Sequence, residues 1–342
     1  MQRLLVSLFL ISPIIGLSQK GSPVIFEVYA SAETTPVESP EDGADDPCIW
    51  VPFNAPAQTI VVGTDKKFGL ETYGLDGKRI DRFGFGNINN VDINSEFFKT
   101  DNDLEISAAL VIGTNRTTHS IDFFKLTING NLALIHREVL GSNMGDLYGL
   151  CAYTNSQGSF FVASDKEGRI FQSAYAAGKQ GIVLGEERSF RLPSTVEGLV
   201  ADSYHDVLYV AEEDEGIWSF PLSINSDPNP RLILSTDPEL IVSDIEGLTL
   251  YKKGQGKGYL LCSIQGANRY GVLDRESHEL LGVFNIVDNN GIDGAQETDG
   301  IDVSSIPVPG YPDGFFVVQD GLNDRQKQNF KFVNWSHIMS KL

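Results

Sequence analysis

From Thr59 to Val333 the chain repeats one pattern: a short apolar run closed by a polar loop, a second run opening on Gly or a charged residue, and in most units a third after a tight turn. The runs are Thr59–Thr64, Gly69–Tyr73 and Arg79–Phe83; Ile106–Gly113, Ser120–Thr127 and Leu132–Glu138; Phe160–Ser164 and Arg169–Tyr175; Val207–Ala211, Gly216–Phe220 and Arg231–Leu234; Gly258–Ser263, Arg269–Asp274 and Leu280–Ile286; Gly314–Val318 and Asn329–Val333. Asp76-Gly77 and Asn129-Gly130 supply hairpin turns, which need positive φ. A strand-only unit recurring at roughly 50 residues is the sequence mark of a propeller blade, since such a unit buries its apolar faces only against its neighbours. Six units predict an all-β, six-bladed β-propeller over residues 45–342. Residues 19–44 read as a leader, in which a strand at 24–30 is expected to close the ring by pairing into the last blade and so remove an exposed edge.

Met1-Gln2-Arg3 and the apolar run Leu4–Ile15 have the form of a secretory signal peptide, with Gly16-Leu17-Ser18 as the cleavage stretch, so residues 1–18 are expected to be removed. The run is too short to span a membrane, and no Cys follows it to carry a lipid. A secreted or periplasmic chain without a membrane partner is expected. The 26 basic residues against 46 acidic ones give a formal charge of -20, the wrong sign for a nucleic-acid binder. Cys48, Cys151 and Cys262 are odd in number and far apart, and read as small buried apolar side chains. The His residues show no metal spacing, and neither a nucleophile elbow nor a phosphate loop opening a helix is present.

Chemistry concentrates at the strand ends. Glu-Gly-Leu occurs at 197–199 and again at 246–248, and Glu212-Glu213-Asp214-Glu215 follows the first copy. Asp45-Asp46-Pro47 lies upstream, with Asp244, Asp293 and Asp299 downstream. If these segments converge, they form a cage of hard oxygen ligands, which suits calcium with its six to eight oxygens rather than zinc. Lys66-Lys67, Arg116 and Lys166 each follow an apolar strand in one of the first three units. Basic groups at parallel loop positions in so acidic a chain suggest an anion seat, Arg offering a fork and Lys a point charge. Surface charges paired with neighbouring acids are the competing reading of the same positions.

Taken together, these blocks resemble the β-propeller phytases, calcium-dependent phosphatases of inositol hexakisphosphate (phytate). The resemblance runs from Asp45 to Trp335. It is carried by Asp45-Asp46-Pro47-Cys48-Ile49-Trp50, Lys66-Lys67, Asn89-Asn90-Val91-Asp92, Asn115-Arg116, Leu147-Tyr148-Gly149, Lys166-Glu167-Gly168, Glu197-Gly198-Leu199, Glu212 to Trp218, Asp244-Ile245-Glu246-Gly247-Leu248, Thr298 to Asp302, Val318 to Gly321 and Gln328 to Lys331. Cys48 stands where the family usually has Ala. The resemblance implies that Asp45, Glu197, Glu213, Asp244, Glu246 and Asp299 hold several catalytic calcium ions. It implies that Lys66, Lys67, Arg116, Tyr148 and Lys166 seat phosphate. It also places Asp46 and the Val91 carbonyl at a separate structural calcium, and Asp293 where the family has another metal ligand.

Phytate and this chain are both anionic, and bare carboxylates would repel it. Calcium inverts the sign of such a site and acidifies a bound water. The implied reaction is direct in-line attack of calcium-activated water on phosphorus by a monomeric enzyme, with Lys66, Arg116 and Lys166 stabilising the equatorial oxygens. Another calcium-dependent propeller hydrolase acting on diesters or lactones, and a non-enzymatic calcium-binding propeller, are the alternatives.

Overall fold

The computed structural model describes residues 22–98, 108–179 and 181–342, so the apolar run at 4–15 lies outside the described residues. The strands form six sheets arranged as successive blades. Blade 1 contains Ala44–Trp50, Ile60–Asp65, Gly69–Tyr73 and Arg79–Gly84; blade 2, Ile88–Asn94, Ala108–Asn115, Ser120–Thr127 and Leu132–Val139. Blade 3 contains Leu147–Asn155, Gly158–Asp165, Arg169–Gly178 and Gly181–Arg191; blade 4, Val196–Asp202, Val207–Glu212, Gly216–Pro221 and Arg231–Ser235. Blade 5 contains Ile245–Gly254, Lys257–Ile264, Arg269–Asp274 and Leu280–Ile286; blade 6, Ile301–Ser304, Phe315–Asp320 and Asn329–Asn334.

The middle strands are covered on both faces, which is why they read as continuous apolar runs rather than alternating ones. Cys48, Ile60, Val62 and Leu70 of blade 1 pack with Ile88, Val91, Val111 and Phe124 of blade 2. Leu110, Ile112 and Phe123 on the other face of blade 2 pack with Leu147, Phe161 and Tyr175 of blade 3. All three cysteines are free and buried, as expected of apolar fillers.

The leader closes the ring in two steps. Val24–Val28 pairs in parallel with Leu280–Ile286, adding a fifth strand to blade 5, and Phe26 stacks on Phe284 at 5.3 Å. Ala32–Glu33 then pairs antiparallel with Asn329–Asn334 and completes blade 6. The longer leader strand therefore joins the penultimate blade rather than the last. The last blade has room for only a short pairing, because the chain crosses on to blade 1 where Thr35 donates its N–H to the Gly77 carbonyl. One segment thus ties three consecutive blades.

Each blade also has an inner strand that the sequence pattern leaves in the loops. In blades 1 to 5 this strand carries a β-bulge at the same place: Asp45-Asp46, Asn89-Asn90, Tyr148-Gly149, Glu197-Gly198 and Glu246-Gly247 lie where the register against the second strand slips. Two residues on the bulged strand oppose one on its partner, which re-aims a side chain. The second bulge residue is pressed on the next blade. A Cβ on Gly149 would lie 1.9 Å from the Glu197 carbonyl oxygen, and one on Gly198 would lie 1.9 Å from that of Glu246. Gly247 and Gly300 instead donate N–H bonds to the Asp299 and Asp45 carbonyls, both at 3.0 Å. Hydroxyls complete the seam: Thr114 donates to the Tyr148 carbonyl at 2.8 Å and Ser263 to that of Asp299 at 2.9 Å.

Gly198→Ala should therefore push blades 4 and 5 apart. We expect it to cost about 1–3 kcal/mol or more, as overpacking against unyielding backbone does, seen as a lower Tm. A Tm equal to that of the wild type would show that the inner strands do not depend on this approach.

Candidate active site

The bulges build one mouth of the channel from two rings of side chains. The inner ring is the first bulge residue of each blade: Asp45, Asn89, Tyr148, Glu197 and Glu246, with Asp299 preceding Gly300 in the equivalent place of blade 6. The outer ring is the residue that follows each second strand: Lys66, Arg116, Lys166, Glu213, Gln265 and Gly321. Their backbone N–H groups donate to the carbonyls of Gly43, Asn87, Asp146, Thr195, Asp244 and Gln296, all in the loops leading to the inner strands. Twelve positions are thereby set by one repeated backbone device, and sequence alone decides their chemistry. Blades 1 to 3 place cations in the outer ring, and blades 4 to 6 place an acid, an amide and a glycine there.

The acidic half centres on Glu197, Glu213 and Glu246, each with a carboxylate oxygen within 4.8 Å of the others. Glu197 and Glu246 are 2% and 4% exposed, and the Oε2 atom of each is buried with no hydrogen-bond partner. A buried anionic acceptor without a partner is costly. Burial raises the Glu246 carboxyl well above its ordinary pKa, and the facing charge of Glu197 adds to this. Burial and then Asp45 raise Glu197, and the same two causes raise Asp299 well above its ordinary value. Glu213 is pushed up to about 7 by burial, Glu197 and Asp244. Asp244 sits at φ 80, donates its N–H to the Glu213 carbonyl at 2.9 Å and is raised by burial. An oxygen-only donor set with two orphaned carboxylate oxygens fits a hard divalent cation such as calcium. The neighbouring Glu212 is structural: it accepts from Ser194 and from Trp218 Nε1 at 2.9 Å.

The cationic half is held in place by acids. Lys66 Nζ lies 2.7 Å from Asp42, 2.9 Å from Asp45 and 3.6 Å from Asp299. Burial opposes its charge, yet these carboxylates outweigh it and hold its pKa above the ordinary value. Arg116 donates to both oxygens of Asp146, through Nε at 2.8 Å and through Nη2, and Nη1 reaches Asn89 Oδ1 at 3.2 Å. The fork from Arg116 lowers the Asp146 pKa. Lys166 Nζ stands over the Tyr148 ring at 4.6 Å. Lys67 turns outward, donating to the Pro40 carbonyl at 2.6 Å. Tyr148 contacts Glu197, and burial followed by the Glu197 and Glu246 charges keeps its phenol protonated.

Asp46 occupies the second bulge position of blade 1, deeper in the channel, where its Oδ2 accepts the Val91 N–H at 2.9 Å. Asp46 and Val91 line a cavity of about 70 Å³ together with Asp92 and Asp302. Asp293 is placed elsewhere: its carboxylate pairs with the buried Lys331, which also meets Glu33 and Asp320. Three polar residues at the mouth went without a role in the sequence reading, namely Asp42, Asn89 and Asp146. Asn89 stood inside a quoted block, while Asp42 and Asp146 gave no signal because their partners are distant in sequence.

Similarity to known proteins gives the family. A protein-family model described as Phytase matches residues 4–342. The chain belongs to the β-propeller phytase family. It is 37% identical over 331 residues to the 3-phytase of Bacillus subtilis (strain 168), covering 93% of this chain and 86% of that protein. As a member of this family it is a phytase, an enzyme. Two solved structures align with the chain at low identity. One, described as BBS1N in complex with ARL6DN and soaked with lead, has a TM-score of 0.50 at 10% identity, covering 84% of this chain and 77% of that chain. Another, the Myceliophteria thermophila Cps50 (Swd1) β-propeller domain, has a TM-score of 0.49 at 11% identity, covering 85% and 83%.

A ligand that binds only the folded state stabilises it by about 2.7 kcal/mol at 100 times its Kd, so chelation should lower the Tm of this phytase. The effect should depend on pH. Carboxyls raised in the fold stabilise it while protonated, fully below their unfolded value near ~4.3. That contribution is lost as pH rises through the folded value, about 7 for Glu213. In chelator the Tm should fall from about pH 5 to about pH 8, and calcium should raise it more at the higher pH. Equal melting with and without calcium at both pH values would remove the metal from the site.

Proposed function

We propose that the chain is an exported, calcium-dependent phosphomonoesterase that hydrolyses phytate to lower inositol phosphates and inorganic phosphate. The observation that supports this most is the split mouth, with three cations on blades 1 to 3 facing a carboxylate cluster on blades 4 to 6. A purely structural metal site has no use for the cationic arc, and an anion seat alone has no use for orphaned carboxylates. Asp45, Glu197, Glu213, Asp244, Glu246 and Asp299 are the residues that would hold calcium. When bound, it would offset their charge, pair with phosphate oxygens and acidify a water for in-line attack on phosphorus. Asp46 and Val91 are assigned a separate structural ion, and Asp293 a further one that would have to displace Lys331.

The chain's own residues then bind and orient. Two like unit charges 4 Å apart repel by about 4 kcal/mol at an effective dielectric near 20, so the phosphoryl group docks on the side of Lys66, Arg116 and Lys166. After its bonds to Asp146 and Asn89, Arg116 keeps two of its five N–H groups free to meet phosphate oxygens. Lys166 and Tyr148 form one wall of the seat, and the Tyr148 phenol, held protonated beside Glu197, ties that wall to the carboxylate cluster. Lys67 extends the basic surface outward toward a second phosphate of the substrate. No side chain in this arc is a free nucleophile, which is consistent with attack by water rather than through a covalent enzyme intermediate.

Release of inorganic phosphate from phytate, with and without chelator, tests the reading directly. Turnover of phosphodiesters or lactones in place of phytate would favour another propeller hydrolase, and no turnover would favour a binding module. Arg116→Lys retains charge but loses the fork. It should lower kcat about tenfold or more, or roughly 1.4 kcal/mol of transition-state stabilisation. A change confined to KM would make Arg116 a uniform binding group.

A further inference from the structure

In blade 1 the inner-ring residue Asp45 and the outer-ring residue Lys66 form an ion pair at 2.9 Å. Blade 2 has the same backbone but pairs Arg116 with an amide, Asn89, which is 1% exposed. Asn89 Nδ2 donates to Asp45 Oδ2 at 2.8 Å and to Glu197 Oε1 at 3.0 Å, which uses both of its protons. Its Oδ1 accepts from Arg116 Nη1 at 3.2 Å. The amide therefore touches both halves of the mouth: its N–H side braces two carboxylates of the cluster, and its oxygen braces the guanidinium.

We propose that Asn89 is a positioning residue that couples the carboxylate cluster to the phosphate seat while keeping them electrically apart. It rests on the reading of Arg116 as part of that seat. A carboxylate at this position would have the geometry to pair with Arg116 from the inside, as Asp45 pairs with Lys66. With Asp146 already on the outside, the guanidinium would then be held between two anions and would have less attraction left for phosphate. A small apolar residue would leave Asp45 and Glu197 without their shared donor and Arg116 without its inner brace. An amide avoids both, because it donates to the acids, accepts from the cation and carries no charge of its own.

The test uses the full chain and two probes, calcium alone in a binding isotherm and inorganic phosphate as a product inhibitor of phytate hydrolysis. Asn89→Asp is expected to move the two in opposite directions. Calcium should bind more tightly by about threefold or more, because affinity follows the charge count of the ligands. Inhibition by phosphate should weaken by about tenfold, because Arg116 is neutralised from both sides. Both affinities falling together, or neither changing, would overturn the proposal and leave Asn89 a packing residue. If the acidic variant does not fold, Asn89→Ala gives a second route. It should weaken phosphate inhibition in the wild-type background but add little in an Arg116→Ala background, since groups acting through one contact are non-additive. Equal effects of Asn89→Ala in both backgrounds would overturn the coupling. If Arg116→Ala itself leaves phosphate inhibition unchanged, the phosphate seat is wrong, an outcome distinct from failure of the Asn89 coupling alone.

Discussion

The mouth of this propeller depends on a bulge that, in blades 1 to 5, puts two residues of the inner strand opposite one of the second strand. A regular strand turns successive side chains to opposite faces, and in a propeller both faces of a blade are covered by its neighbours. Without the bulge, no side chain at the top of an inner strand would point along the channel. The extra residue frees one position per blade for the mouth, and it forces the next residue against the adjoining inner strand. That second position is glycine in blades 3 to 6, where the approach to the next carbonyl leaves no room for a Cβ. In blades 1 and 2 it is Asp46 and Asn90, whose N–H groups are taken by Thr64 and Thr114 at 2.9 and 3.0 Å. Glu-Gly-Leu at 197 and 246 is thus the sequence form of a structural unit rather than a catalytic motif in itself. The carboxylate belongs to the site, the glycine to the contact between blades and the leucine to the core.

Assembling four inner-ring carboxylates and Glu213 within one mouth is unfavourable in the bare protein, and the raised pKa values of Glu197, Glu246, Asp299 and Glu213 express that cost. The fold supports it from outside. Buried carboxylates at the second-strand ends, such as Asp65 and Asp165, accept backbone N–H bonds and pair with Arg82 and Arg169. These bonds hold the turns that carry Lys66 and Lys166. Strain at the mouth is thus carried by scaffolding whose carboxylates are paired with arginines, which is the arrangement expected where binding a cation and an anion relieves the strain.

The outer and middle strands were legible in the sequence because both of their faces are apolar or because Gly-containing turns punctuate them. The inner strands were not. Asp45-Asp46-Pro47, Asn89-Asn90 and Tyr148-Gly149 are polar or glycine-rich and read as loops, although Asp45 and Asn89 are 1% exposed. Their burial comes from neighbours a whole blade away, which no local window contains. The destination of Val24–Val28 was hidden for a similar reason: an apolar edge strand pairs as well with one blade as with the next, and the choice was made by the crossing at Thr35 and Gly77. Candidate site residues could be named more fully than the elements that carry them, because the ordered blocks from Asp45 to Lys331 resemble a known family residue by residue. What resemblance did not convey is the pairing of Arg116 with Asp146 and Asn89, which are 30 and 27 residues away in sequence.

Six blades supply six equivalent positions in each ring, and the chain uses them unequally. Had every outer position carried a cation, the carboxylates would have been neutralised by the protein itself, as Lys66 already does for Asp45, and a metal would have found no charge to meet. Had every one carried an acid, phosphate would have been excluded. The division at blades 3 and 4 keeps both charges available on opposite sides of one opening. The remaining two positions carry no charge. Gln265 holds Asp299 through its amide, and Gly321 has no side chain at all. There, between blades 5 and 6, a cleft of about 710 Å³ opens beside Asp244 and Asp299. A Cβ at Gly321 would lie 2.7 Å from the Glu297 carbonyl oxygen, so the backbone position that supplies Lys66 in the next blade is closed to any side chain here, charged or not.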